Sequence, residues 1–247
     1  TGIQVSCLGL GTVKFGRNQD VKYPHGFALP EDSEVLRLLE QARDLGINLL
    51  DTAPAYGSSE QRLGRLLSRR EDWVLTTKVG EEFLSGKSFF NFDAEHVRTS
   101  IERSLRHLNT DYLDLVLIHS DGNDLAILES SDCLDTLEQL KAKGLIRAIG
   151  MSTKTVAGGK RAVELTDAVM VTYNPAKTAE EAVIDYAAEL NKGVLIKKAL
   201  NSGHLGGGSD AAADLAFALN KPGVSSVIVG TINPEHLSKN VKAARAA

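Results

Sequence analysis

The chain has 247 residues, 43% hydrophobic and 24% charged, a balance that excludes disorder and leaves room for either one large α/β barrel or two small domains. Its formal net charge is −4, and no run of Lys and Arg builds the positive field that neutralises a phosphate backbone, so nucleic acid is excluded as an expected partner.

Apolar runs ending in polar residues or glycine alternate with amphipathic helical stretches along the chain, the pattern of parallel βαβ units. The first strand is read at 5–11. A helix at 31–45 follows, with Val35, Leu38, Leu39, Ala42 and Leu45 on one face and Gly46 as its stop. Strand two is 47–51. A helix at 59–69 leads to strand three at 73–78, and Asp93 caps a helix carrying Val97, Ile101, Leu105 and Leu108 before strand four at 113–119. The second half repeats the alternation: helix 129–143 and strand 146–151, helix 158–165 and strand 168–172, helix 180–190 and strand 194–197. Helix 211–219 precedes the last strand at 226–229, after which Asn233 and Pro234 open a helix in cap and first-turn positions. No linker interrupts the series, which predicts one α/β domain over 1–247, a single (β/α)8 TIM barrel. The Gly206-Gly207-Gly208 stretch reads as a surface loop rather than a phosphate cradle.

The two cysteines, Cys7 and Cys133, both in apolar sequence, form no disulfide framework, and a reducing compartment is expected. No stretch approaches ~18 apolar residues and residues 1–10 lack a basic leader pattern, so the expectations are no membrane partner and a cytoplasmic setting. His25, His96, His107 and His204 have no metal-ligand spacing and read as surface or loop residues, and no metal is expected.

In a parallel barrel the functional mouth lies where the strands end. Three strands in succession end in chemistry-bearing residues: strand two in Asp51, strand three in Lys78 and strand four in His119, with Tyr56 in the loop after Asp51. Each alone has an ordinary structural reading as a turn cap, a solvated amine, a core imidazole or a packing ring. Neighbouring strands lie only ~4.8 Å apart, however, so the four converge on one cleft. Together they suit carbonyl reduction. Hydride arriving at a carbonyl carbon leaves negative charge on oxygen, which calls for a proton donor and a dipole. Tyr56 supplies the proton, Lys78 lowers the Tyr56 pKa, Asp51 holds Lys78 charged, and His119 donates a hydrogen bond to the substrate oxygen.

With 49–57 (Leu-Leu-Asp-Thr-Ala-Pro-Ala-Tyr-Gly), Thr77-Lys78 and Leu117-Ile118-His119, the chain resembles the aldo-keto reductase family. The likeness runs from 5–12 (Val-Ser-Cys-Leu-Gly-Leu-Gly-Thr) through 144–152 to Ile228-Val229-Gly230-Thr231. The resemblance implies a barrel, a small-molecule carbonyl substrate, a nicotinamide cofactor at the mouth, and a tetrad of Asp51, Tyr56, Lys78 and His119. It places Thr12 near the nicotinamide beside Asp51, and Ser152 at the carboxamide. Lys197, Lys198, Leu200 and Ser202 fall in the pyrophosphate segment. Gly230, Thr231, His236 and Asn240 fall in the last phosphate and adenine segment. Departures are Thr153 for a common asparagine, Met170 for a usual glutamine, and Lys197 for an aromatic residue that stacks on the nicotinamide. Gly230 and His236 stand where a lysine and an arginine clamp the 2′-phosphate. NADPH is the expected cofactor by resemblance, with NADH as the alternative that the altered clamp favours.

Two other readings remain open: a Schiff-base aldolase using Lys78 and a regulatory subunit that senses cofactor on the same fold. The substrate walls are expected from 15–30, with Tyr23, His25 and Phe27, and from 83–92.

Overall fold

The computed structural model describes residues 1–203 and 210–247; the Gly206-Gly207-Gly208 loop and His204 lie outside the described residues. Ten strands are present among these residues: β1 (Leu8–Gly11), β2 (Leu49–Asp51), β3 (Val74–Val79), β4 (Glu81–Leu84), β5 (Lys87–Phe90), β6 (Leu113–His119), β7 (Ile146–Ser152), β8 (Ala168–Thr172), β9 (Gly193–Lys197) and β10 (Ser226–Val229). Eight of them close a barrel in the order β1-β2-β3-β6-β7-β8-β9-β10, every neighbouring pair parallel. The helices are α1 (Val13–Gly16), α2 (Asp32–Asp44), α3 (Ser59–Leu66), α4 (Ala94–Leu108), α5 (Asp124–Ser130), α6 (Cys133–Ala142), α7 (Val156–Leu165), α8 (Glu181–Glu189), α9 (Ala211–Leu219) and α10 (Pro234–Ala246). The single TIM barrel read from the sequence is therefore the observed architecture.

The two-residue period of the strands separates two apolar layers. Leu10, Leu50, Leu75, Val116, Ile149 and Val171 join the layer between barrel and helices. The alternate positions, among them Leu49, Leu115, Leu117, Ala148, Met170 and Leu195, fill the barrel interior, and Ile3 and Val5 pack against them. A small cavity at that end is lined mostly by apolar residues, among them Ile3, Val5, Leu49, Leu115 and Leu195, with Thr76, Asp167 and Ser225 as polar members. Helix entries follow the caps in the sequence. Asp93 accepts from the His96 N–H at 2.8 Å at the start of α4, and Asn233 accepts from Glu235 and His236 at the start of α10.

Four details differ from the sequence reading. The stretch after β3 forms an antiparallel hairpin, β4 with β5, outside the barrel. Its turn residues Ser85 and Gly86 both have positive φ, at 50° and 80°, the backbone that tight two-residue hairpin turns require. The helix read at 129–143 is two helices. The Ser131 hydroxyl donates to the Ile127 carbonyl at 2.6 Å and accepts the Cys133 N–H at 3.3 Å, which ends α5 and starts α6. The first strand begins at Leu8, because Ser6 exchanges hydrogen bonds with Asn48 through both side chains. Cys7, placed in apolar surroundings by its neighbours in sequence, is exposed, whereas Cys133 is buried. Among the described residues no helix is long and apolar enough to cross a membrane.

Candidate active site

Strand register decides what reaches the mouth. Asp51 pairs with Thr76, Lys78 with Leu117, and His119 with Ser152. Thr76 to Lys78 and Leu117 to His119 are each one full pleat, so the strand-end side chains inherit the inward direction of the interior residues below them. The sequence-predicted strand ends thus converge on one opening. The Lys78 ammonium donates to Asp51 Oδ1 at 2.5 Å and to the Thr52 carbonyl at 2.9 Å. Both side chains of the pair are almost completely buried. Lys78 Nζ lies 4.7 Å from the centroid of the Tyr56 ring, and that ring meets His119 edge-on with centroids 6.4 Å apart.

Tyr56 is delivered by local geometry. Pro54 starts a 3-10 turn, Pro54–Tyr56, and Gly57 closes it at φ 61° and ψ −122°. A Cβ on Gly57 would stand 2.1 Å from the Gly16 carbonyl oxygen. The absence of side chains at Gly57 and Gly16 is therefore what lets α1 press against the tyrosine turn. Beneath it, the Thr12 hydroxyl donates to the Asp51 carbonyl at 3.0 Å and accepts from Ser59 at 2.8 Å, tying the ends of β1 and β2 together. Thr12 is fully buried, so its hydroxyl is engaged within the protein.

Electrostatics modify one expectation. Burial pushes the Tyr56 pKa up, and although Lys78 pulls it down, the net direction is upward. The phenol is held as O–H. Burial likewise works against the Lys78 ammonium, but Asp51 and Tyr56 outweigh it and its pKa is raised. The His119 pKa is lowered, by burial first, with Lys78 and Lys197 adding to it and Glu81 resisting.

The remaining strand ends form the other half of the mouth, the contiguous arc β7-β8-β9-β10-β1. Lys197 extends from β9 to donate to Ser152 Oγ at 2.8 Å and the Thr153 carbonyl at 2.7 Å. Burial pushes its pKa down to about 7, with Glu180 resisting and Lys198 and Lys78 adding to the shift. Met170, in register with Ser152, is buried in the barrel interior, so this position is apolar. Lys198 is exposed, Leu200 packs against the outer layer, and Ser202 has a left-handed φ of 58°. Beyond β10, a Cβ on Gly230 would lie 3.1 Å from the Tyr23 hydroxyl. The Thr231 hydroxyl accepts the Asn233 N–H at 3.0 Å. His236 is exposed in the first turn of α10, and Asn240 is nearly buried farther along it.

A model of the Aldo/keto reductase family matches residues 7–214. The chain belongs to the aldo/keto reductase family. It is 30% identical over 215 residues to the Bacillus subtilis protein named aldo-keto reductase YhdN, covering 84% of this chain and 62% of that one. The chain therefore spans under two thirds of that relative's length. Among solved structures it is similar to a Pseudomonas aeruginosa protein described as an aldo-keto reductase, with 54% identity, a TM-score of 0.91, and coverage of 99% of this chain and 91% of the other. It is also similar to the holo form of an aldo-keto reductase from Bacillus halodurans, with 25% identity, a TM-score of 0.84, and coverage of 100% and 89%.

In this family member several groups at the mouth carried no sequence signal of their role. Glu81, the first residue of the hairpin, places Oε2 2.9 Å from His119 Nδ1. Arg17 stacks its guanidinium 3.5 Å from the Phe83 ring centroid and reaches Glu81 at 3.8 Å. Of the expected substrate walls, Tyr23 stands beside Tyr56 and Asp51, burial above all raises its pKa with these two neighbours adding to the shift, and Phe27 meets it edge-on at 5.7 Å. Phe15 is fully buried in the outer layer and so is packing. In the hairpin stretch Phe89 and Phe90 are exposed, while Phe92 packs over Gly80. The Ser85-Gly86 turn dipeptide between two short runs that carry Phe83 and Phe89 was the available signal for this hairpin.

Proposed function

We propose that the chain is an NAD(P)H-dependent oxidoreductase that reduces aldehydes or ketones to alcohols, with Tyr56 as the proton donor. The observation that carries this reading is the chain of contacts from Asp51 through Lys78 to Tyr56, with His119 at the same opening. The phenol retains its proton at neutral pH because burial raises its pKa. The Lys78 ammonium beside it stabilises the phenolate that remains after transfer to the substrate oxygen. Asp51 keeps that ammonium charged and aimed.

The opposite arc suits a nicotinamide dinucleotide. Lys198 feels the charges of Lys22, Lys177 and Lys154, and Lys197 feels that of Lys198, a positive accumulation matched to a pyrophosphate. Ser152, Met170, Lys197, Lys198, Leu200 and Ser202 would line one part of its site, and Thr12, Gly230, Thr231, His236 and Asn240 the rest. Bound there, the reduced cofactor supplies the hydride. NADPH is the proposed form; with Gly230 and His236 in place of a cationic clamp, discrimination against NADH is expected to be small. Cytoplasmic residence is part of this proposal.

A Schiff-base aldolase is disfavoured by the Lys78–Asp51 pair, because an ammonium with a raised pKa is a poor nucleophile. The deciding experiment follows oxidation of NADPH, and separately NADH, with an activated aromatic aldehyde, using Tyr56→Phe as control. Oxidation abolished by the substitution supports the reductase. Cofactor binding by calorimetry without turnover would point to the sensing subunit, and absence of binding would remove the nicotinamide reading.

A further inference from the structure

Two lysines end strands at this mouth, and they are held in opposite ways. Lys78 is locked to a carboxylate, with Nζ 2.5 Å from Asp51 Oδ1. Lys197 stands one pleat beyond the interior residue Leu195 on β9. Its side chain crosses β8 to donate to Ser152 Oγ at 2.8 Å and the Thr153 carbonyl at 2.7 Å, at the end of β7. Both acceptors are neutral. Among the described residues the lysine ion pairs are those of Lys78, Lys141 and Lys221, and none involves Lys197. Glu180, the carboxylate that acts most on it, is engaged elsewhere: it accepts the Thr153 hydroxyl at 3.2 Å and the Thr172 N–H at 2.9 Å. Burial therefore prevails and pushes the Lys197 pKa down to about 7, with Glu180 and Asp124 resisting and Lys198 and Lys78 adding to the shift.

An unprotonated amine is a nucleophile toward carbonyl carbon. Lys197 is only half-buried, so a small aldehyde can reach it. Its surroundings also select a charge. Lys198 is exposed beside it, and Asn174 ties Lys177 to the same spot, its Nδ2 donating to the Lys198 carbonyl at 2.8 Å while its N–H donates to the Lys177 carbonyl at 3.2 Å. Lys22 and Lys154 lie near enough for their charges to act on Lys198. We propose that Lys197 is a covalent carbonyl-capture site, its amine condensing with an aldehyde that carries a carboxylate or phosphate held by Lys198 and the neighbouring lysines. The Nζ lone pair adds to the carbonyl carbon, and one amine proton passes to the oxygen to give a carbinolamine. Loss of that hydroxyl with the second amine proton, as water, leaves a C=N bond. Nothing is oxidised or reduced, and water reverses the step.

The Schiff-base chemistry that the sequence reading tied to Lys78 thus moves to Lys197, the lysine without a carboxylate. Capture itself does not depend on the reductase reading. Its consequence does: Lys197 and Lys198 lie on the arc proposed for the dinucleotide, so an imine there and a bound cofactor exclude each other, and excess anionic aldehyde closes the cofactor-free protein.

The test incubates the cofactor-free protein at neutral pH with para-formylbenzoate, reduces with borohydride and maps the secondary amines by mass spectrometry, which needs no turnover. At neutral pH about half of an amine titrating near 7 is unprotonated, against roughly one in 10³ of ordinary lysines with pKa ~10.4. Lower basicity takes back part of that advantage, and labelling of Lys197 about tenfold or more faster than any other lysine is expected. Lys197→Arg, which keeps a donor to Ser152, is expected to lose this label, and the wild-type map stands even if the variant folds poorly. Para-formylbenzamide, the uncharged counterpart, is expected to label Lys197 about two- to fivefold more slowly, the scale of exposed charge pairs, and Lys198→Met to shrink that ratio. A label spread evenly over surface lysines, a label at Lys78 in place of Lys197, or equal rates with the two aldehydes overturns the proposal. A protein that oxidises neither NADPH nor NADH yet is labelled selectively at Lys197 refutes the reductase reading and supports the capture site.

Discussion

Replacing Asp51 by Asn removes one charge from a buried pair while keeping its shape. Lys78 Nζ lies 2.5 Å from Asp51 Oδ1, with the two side chains 2% and 6% exposed. At an effective dielectric of ~20, unit charges at this separation attract by about 6–7 kcal/mol, a gross figure that desolvation of both groups largely offsets. In Asp51→Asn the ammonium retains the Thr52 carbonyl at 2.9 Å and keeps its burial cost. The expected loss is therefore about 3–5 kcal/mol, the scale for breaking a buried pair from one side. For a chain of this length that is a fall in Tm of roughly 6–20 °C. The dependence on pH checks the cause. In the wild type, burial lowers the Lys78 pKa but Asp51 and Tyr56 outweigh it, so the folded-state value is raised. That stabilisation is complete below the unfolded lysine pKa of ~10.4 and is lost as pH rises through the folded value. In the variant, burial prevails and the folded pKa drops below the unfolded one. Its penalty is full at low pH and shrinks as pH climbs toward ~10.4. Urea midpoints of the two proteins should therefore differ most at neutral pH, draw closer as the variant's penalty fades toward pH ~10.4, and converge only above the raised folded pKa of Lys78. Equal midpoints at neutral pH, or a gap that widens in alkali, would refute the reasoning.

Gly57→Ala places a Cβ 2.1 Å from the Gly16 carbonyl oxygen on a backbone of φ 61°. A loss of roughly 1–3 kcal/mol is expected from the backbone strain alone, together with a lower kcat as Tyr56 is displaced, measured by denaturation and turnover. Lys197, pushed down to about 7 chiefly by burial, should make wild-type stability rise between about pH 7 and 10, because the unfolded chain binds the proton that the folded one has released. Lys197→Met should remove that part of the slope; an unchanged slope in urea titrations at several pH values would contradict it.

The alternation of apolar strands with helical stretches was legible because burial on one face forces a two-residue or 3.6-residue period at every step. Caps such as Asp93 and Asn233 were legible because they act within their own turn. Asp51, Lys78 and His119 stood out because each ends an apolar strand, and in a parallel barrel that position alone implies the mouth. Other features depend on partners far apart in the chain. Glu81 comes near His119 only because the hairpin follows directly on β3, which pairs with β6 in the barrel. The upward shift of Tyr56 also needed the fold, since sequence shows the neighbouring ammonium but not the burial that overrides it. The sequence by itself determined the periodicity, the caps and the residues at the strand ends. Only the tertiary structure decided their protonation and their second partners, because desolvation and charge pairing depend on what closes over a group in space.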